Sequence, residues 1–168
     1  METLIYHRIL ERPHAIFMGP LPMRYQDIPA RVVINMCGDY PEGDGRGHQV
    51  FSMPLFDVQD SKFLPTREKL EGFLDEVHQA AGRTASYWHC HAGINRSGLA
   101  LAAYLHRFHD LRISEAIALM RSQRSPVVLC NTLFERTLRE WYGGPDEQDF
   151  TPFSIEAYLA GRTGSTLD

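Results

Sequence analysis

Several features that mark other protein classes are missing from this chain of 168 residues. It has only three cysteines, an odd number at wide spacing, which argues against a disulfide framework and favours a reducing compartment. It has no apolar run near the ~20 residues of a membrane-spanning helix. Its start, Met1–Leu10, carries charges and no apolar core of the signal-peptide type. We therefore expect a cytoplasmic protein with no membrane partner.

A large excess of positive or negative charge is also absent from the sequence. The net charge of −4 and the pI of about 6.0 argue against a nucleic-acid partner, while a local positive pocket stays possible. Hydrophobic residues make up 43% and charged residues 23%, which is typical of a soluble globular domain with a proper core. We expect one such domain, as a monomer.

The most informative stretch is His89–Gly98, with the sequence HCHAGINRSG. The preceding residues Thr84–Trp88 predict a short buried strand, and the following residues Leu99–Leu105 predict a helix. A strand, a tight loop with glycines and a helix together form an anion site, because loop N–H groups and the positive helix end point at one spot. Gly93 and Gly98 allow backbone angles that a side chain would forbid.

Three side chains add chemistry to this predicted anion site. Cys90 ends the strand, and a helix N-terminus with a nearby guanidinium would lower the pKa of its thiol and favour the thiolate. Arg96 has a planar fork that can hold two oxygens of a phosphate at once. Ser97 can donate its hydroxyl to the sulfur and help it leave. The stretch thus predicts a nucleophilic thiolate beside a bound phosphate.

This stretch resembles the signature of the protein tyrosine phosphatase superfamily, and the compact dual-specificity branch in particular. The resemblance rests on His89, Cys90, Gly93, Arg96 and Ser97. It extends more weakly over residues 5–141. It implies a cysteine-dependent phosphomonoester hydrolase that acts on phosphotyrosine through a phosphocysteine, with phosphoserine and phosphothreonine left open. It also implies a phosphorylated protein or peptide as partner, with no cofactor and no metal.

The same resemblance assigns roles to the residues around the cysteine. Cys90, Arg96 and Ser97 would be catalytic, and His89 would support the loop or tune the thiol. The phosphate-binding loop would comprise six residues: His91, Ala92, Gly93, Ile94, Asn95 and Arg96.

The chemistry also needs an acid that protonates the leaving oxygen. In the family an aspartate on a loop upstream of the cysteine has this role, and here Asp57 and Asp60 both lie in that window. We favour Asp57 because it directly follows the predicted strand ending at Leu55, so the sheet would position it. After the first step its carboxylate would activate the water that hydrolyses the phosphocysteine. Asp60 stays open as the alternative.

Strands that alternate with helices predict an α/β fold. We expect a mostly parallel sheet of about 4–5 strands with helices on both faces, like that of dual-specificity phosphatases. Residues 1–143 would form the catalytic domain, and residues 144–168 a loose tail with one short helix at Ser154–Leu159. The other expected elements are strands Ile16–Gly19, Arg31–Met36 and Gln49–Leu55, a helix capped by Thr66 and stopped by Gly82, and helices capped by Ser114 and Asn131.

Other interpretations remain open. The substrate could instead be a phosphoinositide or an RNA 5′-triphosphate, although the loop has no lysine and only Asn95 resembles the RNA-directed relatives. A catalytically inactive phosphate-binding module would normally have lost the cysteine, the arginine or the acid. A metal site at His89–His91 is disfavoured because consecutive residues point in different directions. Cys37 and Cys130 are expected in or near the core, and either would protect Cys90 by a disulfide if close to it.

Overall fold

One five-stranded sheet organises the molecule, in the order β1-β2-β5-β3-β4. The structure is a computed structural model that describes residues 4–41 and 45–163; residues 1–3 of the expected domain, 42–44 of a loop and 164–168 of the expected tail lie outside it. The strands are β1 His7–Leu10, β2 Ile16–Gly19, β3 Val32–Asn35, β4 Gln49–Ser52 and β5 Ser86–His89.

The sheet is mixed, with β1 antiparallel to β2 and the other three pairs parallel. This confirms the expected α/β fold with a mostly parallel sheet. The sequence did not predict β1, whose pairing with β2 is irregular between Arg8 and Leu10. The predicted strand Gln49–Leu55 is shorter in the structure, where β4 ends at Ser52. The N–H groups of Met53 and Leu55 still donate to the carbonyls of Asn35 and Met36 at 3.0 and 3.1 Å, so the chain stays attached to β3 and its continuation as far as Leu55.

Six α-helices are described: α1 Arg67–Ala81, α2 Arg96–Phe108, α3 Ile113–Gln123, α4 Thr132–Tyr142, α5 Pro145–Gln148 and α6 Ile155–Thr163. Thr66 caps α1 by accepting from the Lys69 N–H at 3.2 Å, and Asn131 caps α4 by accepting from the Phe134 N–H at 3.3 Å. None of the described helices combines the length and the apolarity needed to cross a membrane.

The predicted cap of α3 is wrong. Arg112 occupies the cap position, and its backbone N–H donates to the Glu115 carboxylate at 2.8 Å. Ser114 lies inside the first turn, where its N–H donates to Glu147 at 2.8 Å. A carboxylate from outside the helix therefore satisfies an N–H group that a cap would otherwise serve.

The two faces of the sheet are covered unequally. Side chains alternate between the faces along each strand. Ile34 and Trp88 face the large core cluster, which contains buried residues from α1, α2, α3 and α4. Val33 and Tyr87 face a smaller cluster, closed by Tyr25 and the segment that follows its 3₁₀ turn. Helices on both faces were expected, yet these four α-helices share one cluster and a 3₁₀ turn with loop covers the other.

The segment after Gly143 is not uniformly loose. Glu147 in α5 is only 5% exposed and accepts hydrogen bonds from the N–H groups of Ser114 and Gly144 at 2.8 and 3.0 Å. Burial acts to raise the pKa of Glu147, but the hydrogen bonds from Ser114 and Gly144 and the charge of Arg112 lower it to about 2. The first turn of the segment is thus fastened to α3.

Candidate active site

The stretch singled out by the sequence lies at the carboxyl edge of the sheet. β5 ends at His89, α2 begins at Arg96, and residues 90–95 form the loop between them. β5 is flanked on both sides by parallel strands, β2 and β3, whose carboxyl ends meet at the same edge. The loop therefore sits where open α/β sheets bind their ligands.

Gly93 lets this loop turn and also pack closely on β2. Its φ is +67°, a left-handed conformation that disfavours residues with a side chain. A Cβ at this position would lie 2.1 Å from the carbonyl oxygen of Gly19, the last residue of β2. The Leu21 N–H also donates to the His91 carbonyl at 2.9 Å, so the loop rests directly against the chain that follows β2.

The Cys90 thiol is buried, with 2% of the residue exposed, and its Sγ lies 3.4 Å from the Ser97 Oγ. Burial acts to raise the pKa of the thiol. Hydrogen bonds from the Ser97 hydroxyl and from the N–H groups of Ser97, Ile94 and Gly93 outweigh it and hold the pKa below its usual value. These hydrogen bonds therefore favour the thiolate form of Cys90.

His89 is fully buried and held in a single tautomer by its two neighbours. Its Nδ1 lies 3.1 Å from the Cys90 carbonyl oxygen, which can only accept, so Nδ1 carries the hydrogen. Its Nε2, 3.2 Å from the Tyr25 hydroxyl, therefore accepts from that hydroxyl. Burial lowers the pKa of His89 to about 4, so the ring is neutral at pH 7. At this position, between Tyr25 and Cys90, His89 is placed to support the loop.

Arg96 is arranged for an anion. Its Nη1 donates to the Leu55 carbonyl at 3.3 Å, which orients the side chain. Its Nε is buried and has no hydrogen-bond partner among the described residues. Since a buried guanidinium N–H without an acceptor is unfavourable, the geometry favours a bound anion that would accept from it.

Arg124 is a residue that the sequence reasoning missed. Its guanidinium donates to the carbonyls of Ala92 and Gly93 at 3.0 and 3.3 Å, and to the Ile5 carbonyl at 3.1 Å. Holding two loop carbonyls on the outside keeps the N–H groups of the loop turned inward, toward Cys90. Arg124 lies after α3, far from the loop in sequence, and no local pattern marks it.

Asp57 lies beside the loop, held by two side-chain amides. Asn95 donates to its Oδ2 at 3.0 Å and Asn131 donates to its Oδ1 at 2.8 Å. Asp60 is engaged elsewhere. It accepts from the Lys62 N–H at 3.1 Å, capping a 3₁₀ turn, and pairs with the Lys62 ammonium at 3.2 Å. Of the two candidate acids, Asp57 is therefore the one linked to the loop.

All three cysteines are free. Cys37 is buried, and its thiol donates to Asn35 at 3.3 Å. Cys130 is half-buried, and its sulfur lies 3.5 Å from the Asn95 amide nitrogen.

Asn131 was treated by sequence reasoning only as a helix cap. Its side chain also contacts Asp57, which lies 74 residues away, and no local pattern joins the two positions.

Comparison with known proteins agrees with this geometry. The family model for the dual specificity phosphatase catalytic domain matches residues 22–143. Mouse (Mus musculus) dual specificity protein phosphatase 14 is 30% identical over 110 residues, covering 65% of this chain and 54% of that protein. Dual specificity protein phosphatase 1-A of Xenopus laevis is 29% identical over 136 residues, covering 81% of this chain and 35% of that protein. The chain thus spans about half or less of these relatives.

Solved structures show the same fold. The crystal structure of PTPMT1 matches with a TM-score of 0.62 and 23% identity, covering 96% of this chain and all (100%) of that one. The crystal structure of human DUSP28 matches with a TM-score of 0.65 and 20% identity, covering 84% of this chain and 94% of that one.

Proposed function

This chain belongs to the dual specificity phosphatase family, and from that premise we propose that it hydrolyses phosphomonoesters of protein or peptide substrates through a phosphocysteine on Cys90. One observation carries the proposal. A buried thiol with a lowered pKa lies in a loop whose arginine, Arg96, has a buried N–H that finds no acceptor within residues 4–41 and 45–163. A nucleophile and a hydrogen-bond donor suited to an anion in one loop support attack on a bound phosphate.

In the proposed first step the Cys90 thiolate attacks phosphorus. A bond between sulfur and phosphorus forms and the ester P–O bond breaks, while Asp57 gives its proton to the leaving oxygen. Arg96 and the loop N–H groups bind the phosphoryl oxygens and stabilise the charge that develops on them, so the step requires no metal. The two amides on Asp57 support this role because they fix the carboxyl group beside the loop.

In the proposed second step water attacks the phosphocysteine. The Asp57 carboxylate takes a proton from the water, a new P–O bond forms and the P–S bond breaks. Ser97 donates its hydroxyl to the departing sulfur, and the contact of 3.4 Å between its Oγ and the Cys90 Sγ supports this role. Phosphate then leaves, and the thiolate is restored.

An aromatic ester is the favoured substrate. Phe56, directly before Asp57, is 64% exposed, and Phe63 is 44% exposed. Their rings pair at 5.2 Å between centroids and offer an aromatic surface next to the proposed acid. Phosphotyrosine has an aromatic leaving group that would suit this surface. Phosphoserine and phosphothreonine are further candidates for the same chemistry.

We propose residues 1–143 as the catalytic domain and residues 144–168 as a tail, part of which is anchored through Glu147. We also propose a cytoplasmic monomer. A reducing compartment would keep the Cys90 thiolate active, and the free state of Cys37 and Cys130 is consistent with it.

The first experiment measures turnover of p-nitrophenyl phosphate in EDTA, with wild type beside Cys90→Ser. Turnover that the variant abolishes would support metal-free thiolate catalysis. Equal turnover in both proteins would refute the assignment of Cys90, and no turnover in either would favour a phosphate-binding module. A substrate panel follows, with phosphotyrosine, phosphoserine and phosphothreonine peptides, a phosphoinositide and an RNA 5′-triphosphate. A preference for the phosphoinositide or for the RNA 5′-triphosphate would overturn the proposal that the substrate is a protein or peptide.

A further inference from the structure

Three side chains of different chemistry converge at the rim of the loop: Cys37, Asp39 and His91. Cys37 and Asp39 follow β3, whereas His91 follows Cys90 after β5. β3 and β5 are neighbouring parallel strands, so the chain segments after them leave the sheet side by side. The proposed reaction makes no use of Cys37 or Asp39.

The potential ligand atoms of the three residues all lie within 4.8 Å of one another. Tetrahedral zinc with bonds of about 2.0–2.3 Å places its ligand atoms roughly 3.3–3.8 Å apart. The ligand atoms would therefore have to approach one another by at most about 1–1.5 Å for the Cys37 sulfur, an Asp39 oxygen and a His91 nitrogen to share one ion. Asp39 and His91 already contact each other through Oδ2 and Nε2.

The surroundings offer both access and restraint. The side chains of Asp39 and His91 are 61% and 55% exposed, so an ion can reach them from solvent, whereas Cys37 is buried beneath them. The Asn35 side chain fixes Cys37 from below, accepting from its N–H at 3.0 Å and from its thiol at 3.3 Å. A site with one fixed ligand and two mobile ligands loses less side-chain entropy on binding than one with three mobile ligands.

The ligand set selects the class of ion. A thiolate, an imidazole and a carboxylate together suit zinc, whereas calcium and magnesium prefer oxygen alone. Burial raises the pKa of the Cys37 thiol, and the positive charge of Arg96 disfavours a cation there, so the sulfur–metal bond has to offset both effects. The charges of the thiolate and of the Asp39 carboxylate together offset a divalent ion. Three protein ligands leave one tetrahedral position for water.

We propose that Cys37, Asp39 and His91 form a binding site for a thiophilic divalent cation of the zinc type, separate from Cys90. The Cys37 thiol releases its proton to solvent as the sulfur–metal bond forms. The bound ion joins the segment after β3 to the loop after Cys90, and so restrains one side of that loop.

The test uses Co²⁺, which replaces zinc and gives a near-ultraviolet charge-transfer band only when a thiolate binds it. The protein is the full chain carrying Cys90→Ser, so the result is independent of turnover and of the proposed function. We expect one equivalent of Co²⁺ to bind with the band, and added Zn²⁺ to remove it. Adding Cys37→Ser should abolish the band. Adding Cys130→Ser, the matched control, should leave it unchanged.

Absence of the band in Cys90→Ser, or its persistence after Cys37→Ser, would overturn the proposed site. Serine can keep the hydrogen bond to Asn35, and circular dichroism without metal checks that the variant folds. Asp39→Asn provides a second test on an exposed residue. It should weaken Co²⁺ binding by more than the roughly 10–100-fold that loss of an outer-sphere partner costs, and undiminished binding would also refute the site.

Discussion

The Asn95 side chain donates to Asp57 at 3.0 Å, and this contact joins the phosphate-binding loop to the segment that follows β4. Asn95 directly precedes Arg96, the residue proposed to bind the phosphoryl oxygens. The same loop thus leads into the anion-binding arginine and holds the proposed acid. Asn131 holds the other carboxylate oxygen from the start of α4 at 2.8 Å, so two separate elements fix the carboxyl group.

Asp57→Asn should lower turnover by about 10²–10⁴-fold for aryl phosphates with poor leaving groups, because it removes the proton donor. The loss should shrink for p-nitrophenyl phosphate, whose leaving group needs little protonation. Asp60→Asn is the matched control, and it should retain turnover because Asp60 is engaged with Lys62. Steady-state kinetics over a series of aryl phosphates provides the measurement. A larger loss in Asp60→Asn would move the acid to that residue.

Asn131→Ser separates the two roles of Asn131. Serine is a good helix cap, so α4 should keep most of its stability, with a change in unfolding free energy of about 1 kcal/mol or less. The serine has no amide to hold the Asp57 Oδ1, so turnover with poor leaving groups should fall while p-nitrophenyl phosphate turnover changes less. Thermal unfolding and kinetics on both substrates test this. Equal losses on the two substrates would contradict a role in positioning the acid.

The parts of the site that the sequence predicted are those joined by local chain geometry. Cys90 and Arg96 are set by one strand and one helix, and the periodic patterns of α1 and α4 were confirmed with their caps, Thr66 and Asn131. These elements could be predicted because the residues that define them lie close together in the sequence and follow the period of a helix.

The parts that the sequence did not predict depend on contacts between distant positions. Arg124 binds the carbonyls of Ala92 and Gly93 from 32 and 31 residues away. The cap of α3 was misplaced because Glu147 approaches Ser114 from 33 residues away. The β1 edge strand has its hydrogen-bonding partner on one side only. Nothing in the local pattern around these positions identifies the partner.

Gly93→Ala should abolish turnover and destabilise the fold by more than about 2 kcal/mol, since it combines left-handed strain with a clash against the Gly19 carbonyl. Gly72→Ala is the matched control, because Gly72 is exposed within α1 and has nothing within 4 Å of the added Cβ. It should raise the unfolding free energy by about 0.5–1 kcal/mol. Urea unfolding compares the two, and a stable, active Gly93→Ala would contradict the packing described for the loop.

His89 should make the protein less stable in mild acid. Its pKa is about 4 in the folded protein and near 6.5 when exposed, so the folded state requires the neutral ring. Its contribution is complete above pH 6.5 and falls as the pH drops from 6.5 toward 4, by up to about 1.4 kcal/mol per pH unit. Urea unfolding from pH 7 to pH 4 should show this slope in wild type and not in His89→Asn. If the unfolding free energies of the two proteins changed with pH in the same way, this role of His89 would be refuted.

Glu147 should stabilise the fold above about pH 4.5, because its pKa is about 2 when folded and 4.5 otherwise. Its contribution is lost as the pH falls from 4.5 toward 2. Glu147→Gln should therefore cost about 1–2 kcal/mol at pH 7, and the difference from wild type should narrow below pH 4.5. Asp146→Asn, an exposed partner of Arg112, is the control and should change stability by less than about 0.5 kcal/mol. If both substitutions had the same small effect at pH 7, α5 would not be anchored to α3 through Glu147.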